Sequence, residues 1–220
     1  MKSIVLLSAG LDSTVNFCIA HQKSELCLAL TFDYGQRAAR SEILNAKRIC
    51  EKYKVPHQVI GLPWLKAITN TALVNESADL PKLKSAELDV LEKTKESAKN
   101  VWVPNRNGVF INIAASFAES LGANQIVVGF NAEEAVTFPD NSENYVNQVN
   151  GSLNYSTLSH PQVVSYTRNL NKKEIVILGH EVHAPFEWMW SCYESGETPC
   201  KQCESCLRYD NARGPEYIRT

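Results

Sequence analysis

The sequence has no surplus of charge of either sign. Lys plus Arg number 22 and Asp plus Glu 24, for a net charge of −2. That balance argues against a protein that coats nucleic acid by bulk charge, because such binding scales with the phosphates neutralised. No apolar run reaches the roughly 18 residues that a membrane span needs. The start, Met1 to Leu7, is too short for a secretory leader and meets a glycine turn by Gly10. A cytoplasmic protein is expected, with no membrane partner. There is no internal repeat, no low-complexity tract and no Walker loop ending in GK[ST]. Seven cysteines, an odd total in an expected reducing compartment, do not suggest a disulfide framework.

What is present is a 220-residue chain with 44% hydrophobic and 21% charged residues, enough for one α/β domain plus a small appendage. Short apolar runs read as buried strands at Ser3 to Leu7, Leu26 to Phe32, His57 to Gly61 and Gln125 to Gly129. Helical spacing predicts helices at Thr14 to His21, Ala38 to Lys54 and Val109 to Leu121. Strands alternating with helices imply an open, parallel, twisted sheet with helices on both faces, a Rossmann-like architecture. Ligands of such sheets bind at the carboxyl ends of the strands. The expected division is 1–185 for the α/β domain, with a polar insertion at 70–100, and 186–220 for a cysteine-bearing motif packed on it. The insertion reads as a solvated loop, with a lid as the functional alternative.

Two constellations carry chemistry. Ser8-Ala9-Gly10-Leu11-Asp12-Ser13 lies between the first strand and first helix. The unpaired amides of a helix start, the hydroxyls of Ser8 and Ser13 and the slim Gly10 suit an anion. A plain strand-turn-helix capped by Asp12 or Ser13 is the bland alternative. Asp12 also suits Mg²⁺ beside a triphosphate, since magnesium takes one or two carboxylates plus phosphate oxygens. Cys192, Cys200, Cys203 and Cys206 follow C-x7-C-x2-C-x2-C. Four thiolates in so short a span suit one tetrahedral, structural Zn²⁺. An iron–sulfur cluster is the alternative, disfavoured by the missing third x2 step. His180 and His183 lie upstream as weaker candidate ligands.

S-x-G-x-D-S after an N-terminal strand resembles the PP-loop of the ATP pyrophosphatase superfamily. Ala9 stands where the usual S-G-G-x-D-S has its middle Gly, which implies that the position needs no positive φ or that the loop is shifted. Thr31-Phe32-Asp33-Tyr34-Gly35-Gln36-Arg37 resembles the F-D-Y-G-Q-R segment of the 7-cyano-7-deazaguanine synthase family, a branch of that superfamily. Val103-Pro104-Asn105-Arg106-Asn107 resembles its V-P-x-R-N, Leu170 to Glu174 its L-x-K-x-E, and the cysteines its C-terminal zinc motif. These segments come in the family's order over nearly the whole chain. One loop departs: Phe138-Pro139-Asp140 matches Y-P-D, but Asn141 replaces a Cys, and Glu133 and Glu134 precede in place of an Asp.

The resemblance implies ATP-dependent conversion of 7-carboxy-7-deazaguanine and ammonia to 7-cyano-7-deazaguanine, through adenylation and an amide, in deazapurine nucleoside biosynthesis. It implies ATP bound along Leu7, Ser8, Ala9, Gly10, Leu11, Asp12, Ser13, Thr14, Val15, Asn16 and Phe17. Asp12, Arg37, Arg106 and Lys172 are the implied catalytic residues: the arginines for anions, Lys172 (with Lys173 beside it) for departing pyrophosphate. Asp33, Tyr34, Gln36, Asn107, Glu133, Phe138 and Asp140 are expected at the substrate, Asp140 accepting from a purine-like edge. ATP, Mg²⁺ and one Zn²⁺ per chain are the implied cofactors, and a homodimer is compatible. Competing readings are a sibling enzyme acting on another deazapurine acid or a protein carboxylate, a tRNA thiolase, and a zinc-ribbon nucleic-acid module. The last is disfavoured because only Lys201 and Arg208 lie near the cysteines, against Glu194, Glu197 and Glu204.

Overall fold

The computed structural model describes residues 1–81, 88 and 90–214. Positions 82–87 and 89 of the expected insertion, and 215–220 of the tail, lie outside the described residues. Five parallel strands form one sheet: β1 (Lys2–Leu6), β2 (Glu25–Asp33), β3 (His57–Gly61), β4 (Gln125–Val127) and β5 (Gln162–Val164). Their order is β3-β2-β1-β4-β5. Successive strands are therefore added to one side as far as β3 and to the other from β4, so the order reverses between β1 and β4, the switch point at which such sheets open a crevice.

Alternation along the strands builds two cores. Ile4, Leu28, Leu30 and Ile126 face one side and pack on Ile111, Ala114 and Ala118 of α5 (Arg106–Leu121) and Val146 and Leu153 of α7 (Glu143–Ser156). Val5, Ala29 and Val127 face the other and pack on α1 (Leu11–Lys23), α2 (Ala39–Tyr53) and α8 (Lys172–Glu181). Neighbouring strand residues such as Ile4 and Val5 point opposite ways, so a sheet buried on both faces reads as a continuous apolar run. β5 escaped the sequence reading because three residues carry no periodic signal.

The stretch 70–100, which follows the short α3 (Pro63–Ala67), is not merely solvated. Ala72, Leu73, Val74, Leu80 and Leu88 are buried, and α4 (Leu91–Val101) closes the stretch. Single apolar residues spaced among charged ones make the composition look polar while still anchoring the chain. The cysteine segment is joined to the same body. Glu204 N–H, at the start of α9 (Glu204–Arg213), donates to Pro81 O at 3.2 Å. Trp190, Cys192, Cys203 and Cys206 share a small core with Ala38. Among the described residues no helix is long and apolar enough to cross a membrane.

Candidate active site

A cavity of about 1260 Å³ opens at the carboxyl ends of β1, β2 and β4. The phosphate-loop segment forms part of its floor. Leu7, Ser8, Gly10, Leu11, Asp12 and Ser13 line it, whereas Ala9 and residues Thr14 to Phe17 stand behind as support. Ser13 Oγ donates to Gly10 O at 3.2 Å and lies 3.1 Å from Ser8 Oγ, which curls the turn around the start of α1. The buried Asn16 donates to Asp12 O (2.8 Å) and Thr167 Oγ1 (2.6 Å), fixing α1 to the chain after β5. Ala9 adopts φ = 60°, so the loop does take the left-handed conformation that the usual glycine allows. An alanine there costs about 1–2 kcal/mol. Sequence reasoning passed over Gly129 on the facing strand end. A Cβ there would sit 2.7 Å from Ser13 N and 2.9 Å from Ser13 Cα, so only glycine lets the two segments meet.

Across the switch point stands a charge cluster. Lys172 is the first residue of α8, placed by a capping box in which Asn171 accepts from Glu174 N–H and Glu174 accepts from Asn171 N–H. Its Nζ lies 2.5 Å from Asp12 Oδ2 and 2.7 Å from Glu134 Oε1. Burial alone would lower the Lys172 pKa, but the two carboxylates more than reverse this and hold it well above its ordinary value. Burial pushes the Asp12 carboxyl up against the opposing pull of Lys172. Glu134, also pushed up by burial, is brought below the usual range by the Lys172 ammonium and a contact with Asn131. Asn131, fully buried and unsuspected from sequence, donates to Asp12 Oδ1 at 3.2 Å and caps α6 (Ala132–Ala135) through Glu134 N–H. Glu133 accepts from Lys172 N–H at 2.8 Å and faces Arg208 of α9 at 3.9 Å. Arg208 also lines the cavity.

The flank beside β2 is aromatic. Phe32 stacks on Phe110 with centroids 4.0 Å apart, and Tyr34, Arg106, Asn107 and Phe138 complete the wall. Arg106 Nη1 donates to Tyr34 Oη at 3.2 Å. Other expected residues stand elsewhere. Asp33 Oδ1 accepts from Gly35 N–H, and Gln36 bonds Tyr34 N–H, Phe32 O and Glu42, so both close the turn after β2 instead of facing the cavity. Arg37 pairs with Glu194 at 2.8 Å and donates to Asn75 O and Ala78 O. It joins three segments and does not line the cavity. Asp140 lies behind Phe138, outside the cavity, with its oxygens taken by Asn107 (2.9 Å) and Asn141 (3.2 Å). Asn141 itself reaches the cavity.

The Sγ atoms of Cys192, Cys200, Cys203 and Cys206 lie within 4.8 Å of one another, and Cys200 and Cys206 are 4.0 Å apart. Tetrahedral zinc with bonds of about 2.3 Å places its sulfurs roughly 3.8 Å apart, so the cluster fits that ion. The N–H groups of Glu194 and Cys200 both reach Cys192 Sγ at 3.3 Å, which suits a thiolate. His180 stacks on Phe186 and stands apart from the cluster. Of the other cysteines, none lines the cavity. Burial pushes the thiols of Cys18 and Cys50 up, to about 11 and about 12.

A family model described as queuosine biosynthesis protein QueC matches residues 2–213. A protein of Pelotomaculum thermopropionicum called 7-cyano-7-deazaguanine synthase is 55% identical over 212 residues, 96% of this chain and 96% of that one. Another of that name, from Carboxydothermus hydrogenoformans, is 54% identical over 97% of this chain and 98% of its own. Among solved structures, an NMN synthetase from Francisella tularensis superposes with a TM-score of 0.48 at 15% identity, covering 90% of this chain and 70% of that one.

Proposed function

The chain belongs to the queuosine biosynthesis protein QueC family, and on that premise we propose that it converts 7-carboxy-7-deazaguanine and ammonia to 7-cyano-7-deazaguanine at the expense of ATP. The observation that carries the reading is Lys172, held between Asp12 and Glu134 opposite the phosphate loop. A carboxylate is a poor electrophile because its leaving group would be oxide. Transfer of AMP to one carboxylate oxygen releases pyrophosphate and makes AMP the leaving group. Ammonia then displaces AMP to give the amide, losing a proton. AMP transfer to the amide oxygen, again releasing pyrophosphate, and loss of AMP together with both remaining amide protons leave the nitrile.

In this reading the start of α1 and the hydroxyls of Ser8 and Ser13 receive the triphosphate. Lys172 follows the charge that develops on pyrophosphate, where a preorganised cation contributes most. Asp12 and Glu134 are the carboxylates suited to Mg²⁺ beside the phosphates. Arg106 and Asn107 meet the second substrate, and Asp140 acts through Asn107 by holding its amide. Arg37 is a strut. The four cysteines hold one structural zinc, which keeps no open coordination position. Catalysis then rests on positioning and charge neutralisation, with no thioester. Incubation with Mg-ATP, ammonium and 7-carboxy-7-deazaguanine, followed by mass spectrometry, tests this. Amide followed by nitrile is expected. Consumption of a different deazapurine acid, with no amide or nitrile from this one, would assign the cavity to that acid.

A further inference from the structure

Glu42 is a carboxylate of the cavity that the proposed reaction leaves unused, and the one on its aromatic flank. It sits in the first turn of α2 and lines the cavity on the aromatic flank, with Thr31 and Phe32 from the end of β2, Tyr34 from the turn that follows, and Arg106 and Phe110 from α5. Its Oε2 accepts from Gln36 Nε2 at 2.8 Å. Gln36 is itself locked, its amide also bonded to Phe32 O and Tyr34 N–H, so Glu42 is aimed by a rigid turn. A flat heteroaromatic ring suits the Phe32–Phe110 wall. Its pyrimidinone edge presents two adjacent donors, N1–H and the 2-amino group, and an ionised carboxylate is the side chain that accepts both. Asp140, with both oxygens engaged and no place on the cavity, does not offer this.

We propose that Glu42 is the specificity-determining residue of the pocket, its carboxylate accepting the N1–H and 2-amino donors of the 7-deazaguanine ring. The inference rests on the function proposed above. The setting leaves the ionised carboxylate poorly solvated, so donors brought by a ligand would stabilise it. Burial raises its pKa to about 7, against the Gln36 hydrogen bond and the Arg106 charge that lower it, while Asp33 raises it further. Tyr34 is a further titratable neighbour, its own hydroxyl pushed up chiefly by burial and also by the Glu42 charge. Below about pH 7 the group takes up a proton and loses acceptor capacity, so substrate binding should weaken on acidification.

The test compares binding of 7-carboxy-7-deazaguanine and its counterpart lacking the 2-amino group, without ATP, to the full chain and to Glu42→Gln. Hydrogen bonds to a charged partner predict that the wild type favours the 2-amino compound by about 10- to 100-fold. In Glu42→Gln that preference should fall to within about threefold, with ATP binding kept. A second reading needs no variant: the wild-type preference should shrink between pH 8 and pH 6. An undiminished preference in Glu42→Gln, or one equal at pH 6 and 8, overturns the assignment while leaving the overall reaction standing. A wild type that binds neither compound overturns the reaction itself and the assignment with it.

Discussion

The backbone N–H of Trp190 donates to the carbonyl oxygen of Ala9 at 2.7 Å, which ties the approach to the four-cysteine cluster directly to the strained residue of the phosphate loop. The two features that the sequence shows as separate motifs, 183 positions apart at their nearest cysteine (Cys192 and Ala9), are therefore one structure. Removing zinc should loosen the loop as well as the tail. Structural zinc contributes about 10–16 kcal/mol of apparent binding energy at neutral pH. Cys200→Ser, or chelation of the wild type, is expected to release one zinc per chain and weaken ATP binding. Metal analysis alongside nucleotide titration checks this; ATP affinity unchanged after complete zinc loss would separate the two.

Gly129→Ala puts a methyl group where Ser13 backbone atoms stand at 2.7 and 2.9 Å. Backbone cannot rotate aside, so the start of α1 must move. Overpacking of this kind costs about 1–3 kcal/mol. ATP affinity should fall at least about tenfold while zinc content stays at one per chain. Thermal melting and nucleotide titration measure the two effects.

Lys172→Met leaves Asp12 and Glu134 facing each other without a cation. Breaking a buried pair by removing one partner costs about 3–5 kcal/mol, and less where, as for Glu134, the carboxylate remains about a third exposed. Turnover should be lost. Adding Asp12→Asn should recover part of the stability and none of the activity, the pattern expected if the three charges act as a unit. Paired melts and turnover assays of the single and double variants check it.

Glu42 offers a prediction with a defined sign. Its folded pKa of about 7 stands above the ordinary value of 4.5, so ionising it costs stability in the folded state. That cost is absent below about pH 4.5, grows through the interval and is complete above pH 7. Glu42→Gln should therefore raise stability at pH 8 by about 1–3 kcal/mol and leave it nearly unchanged at pH 4.5. Denaturant melts at the two pH values measure the difference; an equal effect at both would contradict it.

The fold was legible where apolar runs were long or flanked by a turn. β2, α2 and α5 fall close to their expected bounds because their periodicity spans a dozen residues or follows a buried strand. β5 and α4 were not, the first for its length and the second because two of its buried residues, Thr94 and Ser97, are polar and stand among lysines and glutamates. At the site, the loop and the cysteines were legible because spacing alone brings their atoms together. The partners of Asp12 were not: Asn131 and Glu134 arrive from 119 and 122 positions away (131 − 12 and 134 − 12), and only the strand order places them. Arg37, Asp33 and Gln36 carry chemistry-bearing side chains, yet these close a turn and brace three segments. Residue type does not tell a brace from a ligand.

In the proposed reaction both carboxylate oxygens leave with AMP. An isotope experiment follows them, with 7-carboxy-7-deazaguanine labelled with ¹⁸O at both carboxylate oxygens and incubated with the chain, ammonium and Mg-ATP. Two molecules of AMP should form per nitrile, each carrying one ¹⁸O, and the nitrile should carry none. Label recovered in inorganic phosphate or water, or AMP formed without label, would rule out adenylation of the carboxylate.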